Sequence, residues 1–279
     1  MKQKMQIIMS SLTLAILVLS IICCFSYGLT AQAAVEEDRY SGYGSASPYS
    51  LVNSSETVTY SRKEESYIET YKGVPRYREI SGLTNSCGPI GGASIVGFYD
   101  RYYEELIPNY TTYVSSGTYK GNDTTYIPQL IRELYTLMRT NVDDVGVSES
   151  DCLNGLRSYV EGKGRSIVYS NIKTINKVNE TALINAINNN LPSLLFCSKT
   201  DMYAISTGTN DDVIVKSSMD GAHIVVGYGL LTVNYYNGNN VFRTDKYIKV
   251  ATGLSSPSSA YLKLSSTDWC NSAYSVKIS

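Results

Sequence analysis

Two side chains in this sequence have the chemistry to work as a pair: Cys87, within TNSCGPIGGASIVGFYD at residues 84–100, and His223, within DGAHIVVGYG. A thiolate is a strong nucleophile, and an imidazole can take the thiol proton and later return one to a leaving amine. His223 is the only histidine in the 279 residues, so any imidazole chemistry in a single chain falls to it. Metal sites that need two imidazoles, HExxH among them, are excluded within one chain for the same reason.

These residues can meet only if the surrounding elements bring them together. A helix that opens at or just after Cys87 would set the thiol among unsatisfied N–H groups at the positive end of the helix dipole, a setting that favours thiolate and offers the Cys87 N–H to a developing oxyanion. Pro89 suits the first turn, where its missing N–H is not needed. Gly91, Gly92 and Ala93 let this helix approach other backbone closely, which makes it a central, buried helix. His223 opens the β run HIVVGYGLL, so its ring is expected to face a cleft at the strand end while Val225 and its alternate neighbours fill the core.

Periodicity supplies the other elements. A helix is expected over 88–103. Another is expected over 126–139, where Ile127, Leu130, Ile131, Leu134, Leu137 and Met138 recur at helical spacing. SESD at 148–151 has the form of a capping box for a helix ending at Gly162, and a fourth helix runs from near Asn179 to before Pro192. PSLLFCS, AHIVVGYGLLTVNYY, VFRTDKYIKVA, SAYLKL and AYSVKI then read as strands, with a hairpin turn in YYNGNNVF. Helices first and strands afterwards predict an α+β architecture.

The N-terminus has Lys2 and Lys4, an apolar stretch from Leu12 to Phe25, and Ala31-Gln32-Ala33. That order is a signal peptide over 1–33, its apolar stretch being shorter than the roughly 20 residues a membrane span needs, and it predicts secretion. Residues 34–74 are rich in Ser, Tyr and Glu and are expected to form a flexible lead-in or a pro-segment lying across the domain at 75–279. With 24 basic and 25 acidic residues and no basic cluster, the chain suits neither nucleic acid nor an anionic membrane surface. Of six cysteines, four lie beyond the leader, at 87, 152, 197 and 270, with no CxxC pair and no cofactor or metal motif. Cys197 is expected in a strand core, Cys152 on a helix with modest burial, and Cys270 free or paired with one of them. Asp143-Asp144 and Asp211-Asp212 are expected in solvated loops. The 25 tyrosines suit either a binding platform or a soluble surface with few charges.

The cysteine and histidine segments resemble those of the papain-like cysteine peptidases. The closest likeness is to the bacterial branch that includes the peptidase domains processing bacteriocin leaders and related secreted C39-type proteins, and it covers about residues 75–265. The resemblance implies an N-terminal helical lobe whose central cysteine helix packs on a C-terminal twisted antiparallel sheet. It also implies a Cys87 nucleophile with a His223 base, acting on a peptide or protein substrate. The family's Asn or Asp, which orients the imidazole, falls here on Thr252, with Asp245 as the fallback. Its oxyanion glutamine falls on Ser81, with Asn85 the only nearby amide. Two other readings stand beside the peptidase: a weak or inactive relative acting as an extracellular binding protein, and a cell-wall amidase or transpeptidase.

Overall fold

The computed structural model describes residues 52–110, 125–175, 177–219, 221–266 and 269–279, so the expected leader and the lead-in as far as residue 51 lie outside the described residues. The helices fall where the patterns put them: α1 at Cys87–Asp100, α2 at Tyr126–Leu137, α3 at Glu149–Gly162 and α4 at Glu180–Asn188. Every residue of α1 is buried, as its unbroken run of small and apolar side chains requires. Ile127, Leu130, Ile131 and Leu134 form the buried stripe of α2. Local capping fixes the next two starts. Ser148 Oγ accepts from the Asp151 N–H at 3.0 Å, and Asn179 Oδ1 accepts from the Ala182 N–H at 3.1 Å.

Ten strands form one antiparallel sheet: β1 (Val52–Thr59), β2 (Arg62–Glu69), β3 (Ile167–Asn171), β4 (Ser193–Cys197), β5 (Thr200–Thr207), β6 (Asp211–Met219), β7 (His223–Asn237), β8 (Asn240–Ala251), β9 (Ser259–Lys263) and β10 (Cys270–Ile278). The spatial order is β1-β6-β5-β9-β8-β7-β4-β10-β3, with β2 also on β7. β7 organises the sheet. One of its edges pairs with β8, while the other pairs with β4 along 223–227 and with β2 along 229–236. The change of partner coincides with a register shift against β8 between Gly227 and Gly229. A Cβ on Gly229 would lie 3.0 Å from the Ile68 carbonyl oxygen, so β2 can lie this close only against glycine.

This arrangement overturns the expected papain-like α+β layout of a helical lobe packed on a C-terminal sheet. The protein is dominated by its ten-stranded sheet, with four α-helices among the described residues. Two strands precede the helices, and they come from the segment expected as a flexible lead-in. The helices have no core of their own. Ile90, Leu134 and Leu156 share one apolar cluster with Leu194, Phe196, Ile224 and Val226 of β4 and β7. On the opposite face, Leu183 and Ile187 of α4 pack with Leu195, Val225, Ile248 and Val250. Farther out, Val58, Ile214, Leu231, Val233, Tyr235 and Tyr247 form a third cluster.

The outer cluster also overturns the solvated reading of Asp212. That side chain is fully buried, accepting from Tyr60 Oη at 3.1 Å, Tyr235 Oη at 3.0 Å and Lys63 Nζ at 2.9 Å. A buried carboxylate needs such partners, and here they come from two distant stretches of the chain, residues 60–63 and β7. Several tyrosines are accordingly structural rather than displayed, since Tyr77, Tyr235 and Tyr247 are among the largest fully buried side chains. No helix among the described residues is long and apolar enough to cross a membrane.

Candidate active site

Cys87 is the first residue of α1, so its sulfur stands at the helix end where N–H groups lack carbonyl partners. The N–H groups of Cys87 and Gly88, and that of Ile224, the residue after His223 on β7, pull the pKa of the thiol downward. The tertiary contact with Ile224 is produced by the sheet. Pairing of β7 with β8 ends at Val226↔Ala251, whereas β4 stays alongside as far as His223↔Cys197. Ile224 is thereby free of β8, and α1 packs against this end of β7, with Gly91 beside Ile224, Leu194 and Val226.

The same end of the sheet fixes the histidine. His223 Nε2 donates to the Thr252 carbonyl oxygen at 2.7 Å. A carbonyl can only accept, so the proton of the neutral ring is on Nε2 and the lone pair is on Nδ1. Thr252 therefore meets the imidazole as the resemblance suggests, but through its main chain. Its hydroxyl is used elsewhere, donating to the Pro257 carbonyl and accepting from the Leu254 N–H at 3.1 Å.

Burial decides the charge state of both groups. Cys87 is 2% exposed and His223 is 1% exposed. Loss of water pushes the Cys87 thiol up to about 12, against the opposing pull of the three N–H groups. Burial likewise pushes the His223 imidazole down to about 4, with the Thr252 carbonyl opposing. The helix-dipole expectation of a thiolate is thus outweighed by desolvation, and near neutral pH the resting pair is a thiol and an uncharged imidazole.

The remaining expected site residues lie apart from the pair or are already engaged. Ser81 is exposed, and its carbonyl accepts from Arg132 at 3.3 Å. Asn85 has φ of 55° and its amide donates to Asn141 Oδ1 at 2.8 Å, so that amide is committed away from the cysteine. Asp245 sits midway along β8 opposite Val233, bound by Arg243, Lys263 at 3.0 Å and Tyr247 at 3.2 Å. There it holds the Arg243, Tyr247 and Lys263 side chains.

All four cysteines among the described residues are free and buried. Cys152 is fully buried rather than modestly so, its sulfur 3.6 Å from where a Cβ on Gly88 would stand. Cys197 and Cys270 face each other across β4 and β10 without a disulfide. Two residues near Cys87 escaped the sequence reading. Asn141 accepts from Asn85 and from the Gly146 N–H at 2.7 Å, and donates to Tyr135 Oη at 2.6 Å, fastening the turn that leads into Cys87. Ser86, the N-cap of α1, is 1% exposed and its hydroxyl has no hydrogen-bond partner. A serine just before a helix gives a sequence signal for a cap, but none for a cap left unused. No group of three or more His, Cys, Asp or Glu side chains among the described residues is arranged to hold a metal ion.

Fold and site define a sheet-dominated domain with a buried thiol at the start of α1 and a buried imidazole at the start of β7. Comparison with protein-family models, with characterised proteins and with solved structures finds no match to this chain.

Proposed function

We propose that this protein is an exported thiol hydrolase that cleaves peptide bonds, with Cys87 as nucleophile and His223 as proton acceptor and donor. The observation that carries the reading is the Cys87 thiol at the start of α1, where the N–H of Ile224, the residue after His223, acts on it, together with an imidazole whose tautomer is set by the Thr252 carbonyl. The likeness of the two segments to those of cysteine peptidases supports the same chemistry.

The neutral resting pair makes the mechanism one of general-base attack. The thiol adds to the carbonyl carbon as its proton passes to Nδ1 of His223, forming a C–S bond and placing negative charge on the carbonyl oxygen. Collapse breaks the C–N bond, the imidazolium returns the proton to the departing amine, and a thioester remains. Water then attacks the thioester, His223 takes its proton, and the C–S bond breaks to restore the thiol. At 2% exposure the sulfur is reached only when neighbouring groups shift, so slow turnover is expected.

That burial favours a second reading, in which the pair is packing and the domain is an extracellular binding protein. Fluorescent casein and purified peptidoglycan, each digested with wild type and Cys87→Ala, separate the readings. Casein cleavage that disappears in Cys87→Ala supports the peptidase, cleavage of peptidoglycan alone makes the enzyme a wall amidase, and no cleavage of either leaves the binding protein.

A further inference from the structure

A thiol mechanism needs donors for the charge that builds on the carbonyl oxygen, and the two side chains expected to supply one are unavailable. Ser81 is on the surface, and the Asn85 amide is tied to Asn141. Immediately before the nucleophile, however, stands a hydroxyl that the folded protein leaves uncommitted. Ser86 occupies the N-cap position of α1, where a serine ordinarily accepts from an N–H of the first turn, and it makes no such bond. Its Oγ is buried and has no partner of any kind. An orphaned buried hydroxyl costs folding free energy, and such groups concentrate where function requires them. Among the other three α-helices, Ser148 and Asn179 make their first-turn bonds and Thr125 makes none.

From this buried, uncommitted hydroxyl beside the nucleophile we infer that Ser86 is a further catalytic residue, its hydroxyl donating to the oxyanion of the tetrahedral intermediate alongside the Cys87 N–H. The inference rests on the hydrolase reading and supplies what that reading lacks. The hydroxyl has no work in the resting state because its partner, the charged oxygen, exists only during attack. A donor used only then stabilises the transition state more than the bound substrate, which lowers the barrier without tightening substrate binding.

The test is Ser86→Ala, a substitution that removes one oxygen from a packed site and adds nothing. Steady-state hydrolysis of a p-nitrophenyl ester and of fluorescent casein is measured together with iodoacetamide alkylation of Cys87, a reaction that forms no oxyanion. The expected result is a loss of about a hundredfold in kcat, with KM and the alkylation rate within about twofold of wild type. An unchanged kcat with a raised melting temperature would overturn the inference, since that is what deletion of a merely orphaned hydroxyl does. Equal loss of hydrolysis and alkylation would also overturn it, because the hydroxyl would then be acting on the sulfur or on the packing around it. Hydrolysis that survives in Cys87→Ala, or is absent from wild type, removes the hydrolase reading and Ser86 with it. Hydrolysis that needs Cys87 but not Ser86 removes only the present inference.

Discussion

The reactivity of Cys87 gives the sharpest test of the burial argument. An ordinary cysteine, with a pKa of about 8.5, is about 9% thiolate at pH 7.5. With its thiol pushed up to about 12, Cys87 is thiolate in only about three molecules per hundred thousand at that pH. Alkylation through the thiolate is therefore expected to run on the order of a thousandfold slower than for a free cysteine, before any steric hindrance is counted. The assay is the second-order rate of iodoacetamide labelling of Cys87, followed by peptide mass spectrometry from pH 6 to 10, with glutathione as the reference thiol. The rate should climb about tenfold per pH unit across the whole range, as a thiol far below its pKa must. A plateau below pH 8, with labelling as fast as glutathione or faster, would refute the reasoning, because it would mean a preformed thiolate–imidazolium pair that burial had failed to suppress.

Three further perturbations test the packing and the electrostatics. His223 is held at about 4, against an ordinary 6.5, so below pH 6.5 the unfolded chain takes up a proton that the folded chain refuses. Stability should fall by up to about 3 kcal/mol between pH 6.5 and 4, and urea titrations of His223→Gln should lack that part of the pH dependence. Asp212→Ala takes the acceptor from the buried Tyr235 hydroxyl and the shared acceptor from Tyr60 and from Lys63, which keeps Glu65 and Thr207, and a loss of about 3 kcal/mol is expected in urea unfolding. A change below about 1 kcal/mol would contradict that account. Gly155→Ala would set a Cβ 2.6 Å from the Met138 nitrogen and 2.7 Å from its Cα, so melting should drop by several degrees. Gly162→Ala, at the end of the same helix with nothing within 4 Å, should leave it unchanged or raise it slightly.

The helices were legible because each carries its own local signal: the stripe from Ile127 to Leu134, the Ser148 and Asn179 caps, and the small-residue run after Cys87. The strands β4, β7, β8, β9 and β10 were legible from β-branched and aromatic runs. The rest of the sheet was not: β3 is a strand of only five residues, and β1, β2, β5 and β6 carry polar stretches, such as SSET and RKEESYIE, that hide the alternation. They are defined by pairing with partners far away in the chain, as Val58 is with Asp212 and Glu64 with Asn234, and no short window carries that information. Their absence from the sequence reading is what made the chain look like a helical lobe followed by a sheet. At the site, residue type marked Cys87 and His223. It did not reveal that both are buried, since desolvation depends on what folds over them. Nor did it reveal that the ring is held by the Thr252 main chain, because every residue has a carbonyl.

The strands β1 and β2 also bear on how the protein can mature. A processing cut near residue 74 would take both away, uncovering the free edge of β6 and the outer half of β7 and removing Lys63 from Asp212. Rows of unpaired main-chain groups on a Val- and Tyr-rich sheet invite pairing with other chains. Arg62, Lys63, Glu64 and Glu65 on β2 now put charge along that border. Proteolytic trimming compatible with a soluble, well-behaved product thus ends upstream of Val52, and the polar stretch that follows is the sheet's own selvedge, keeping it from fraying into its neighbours.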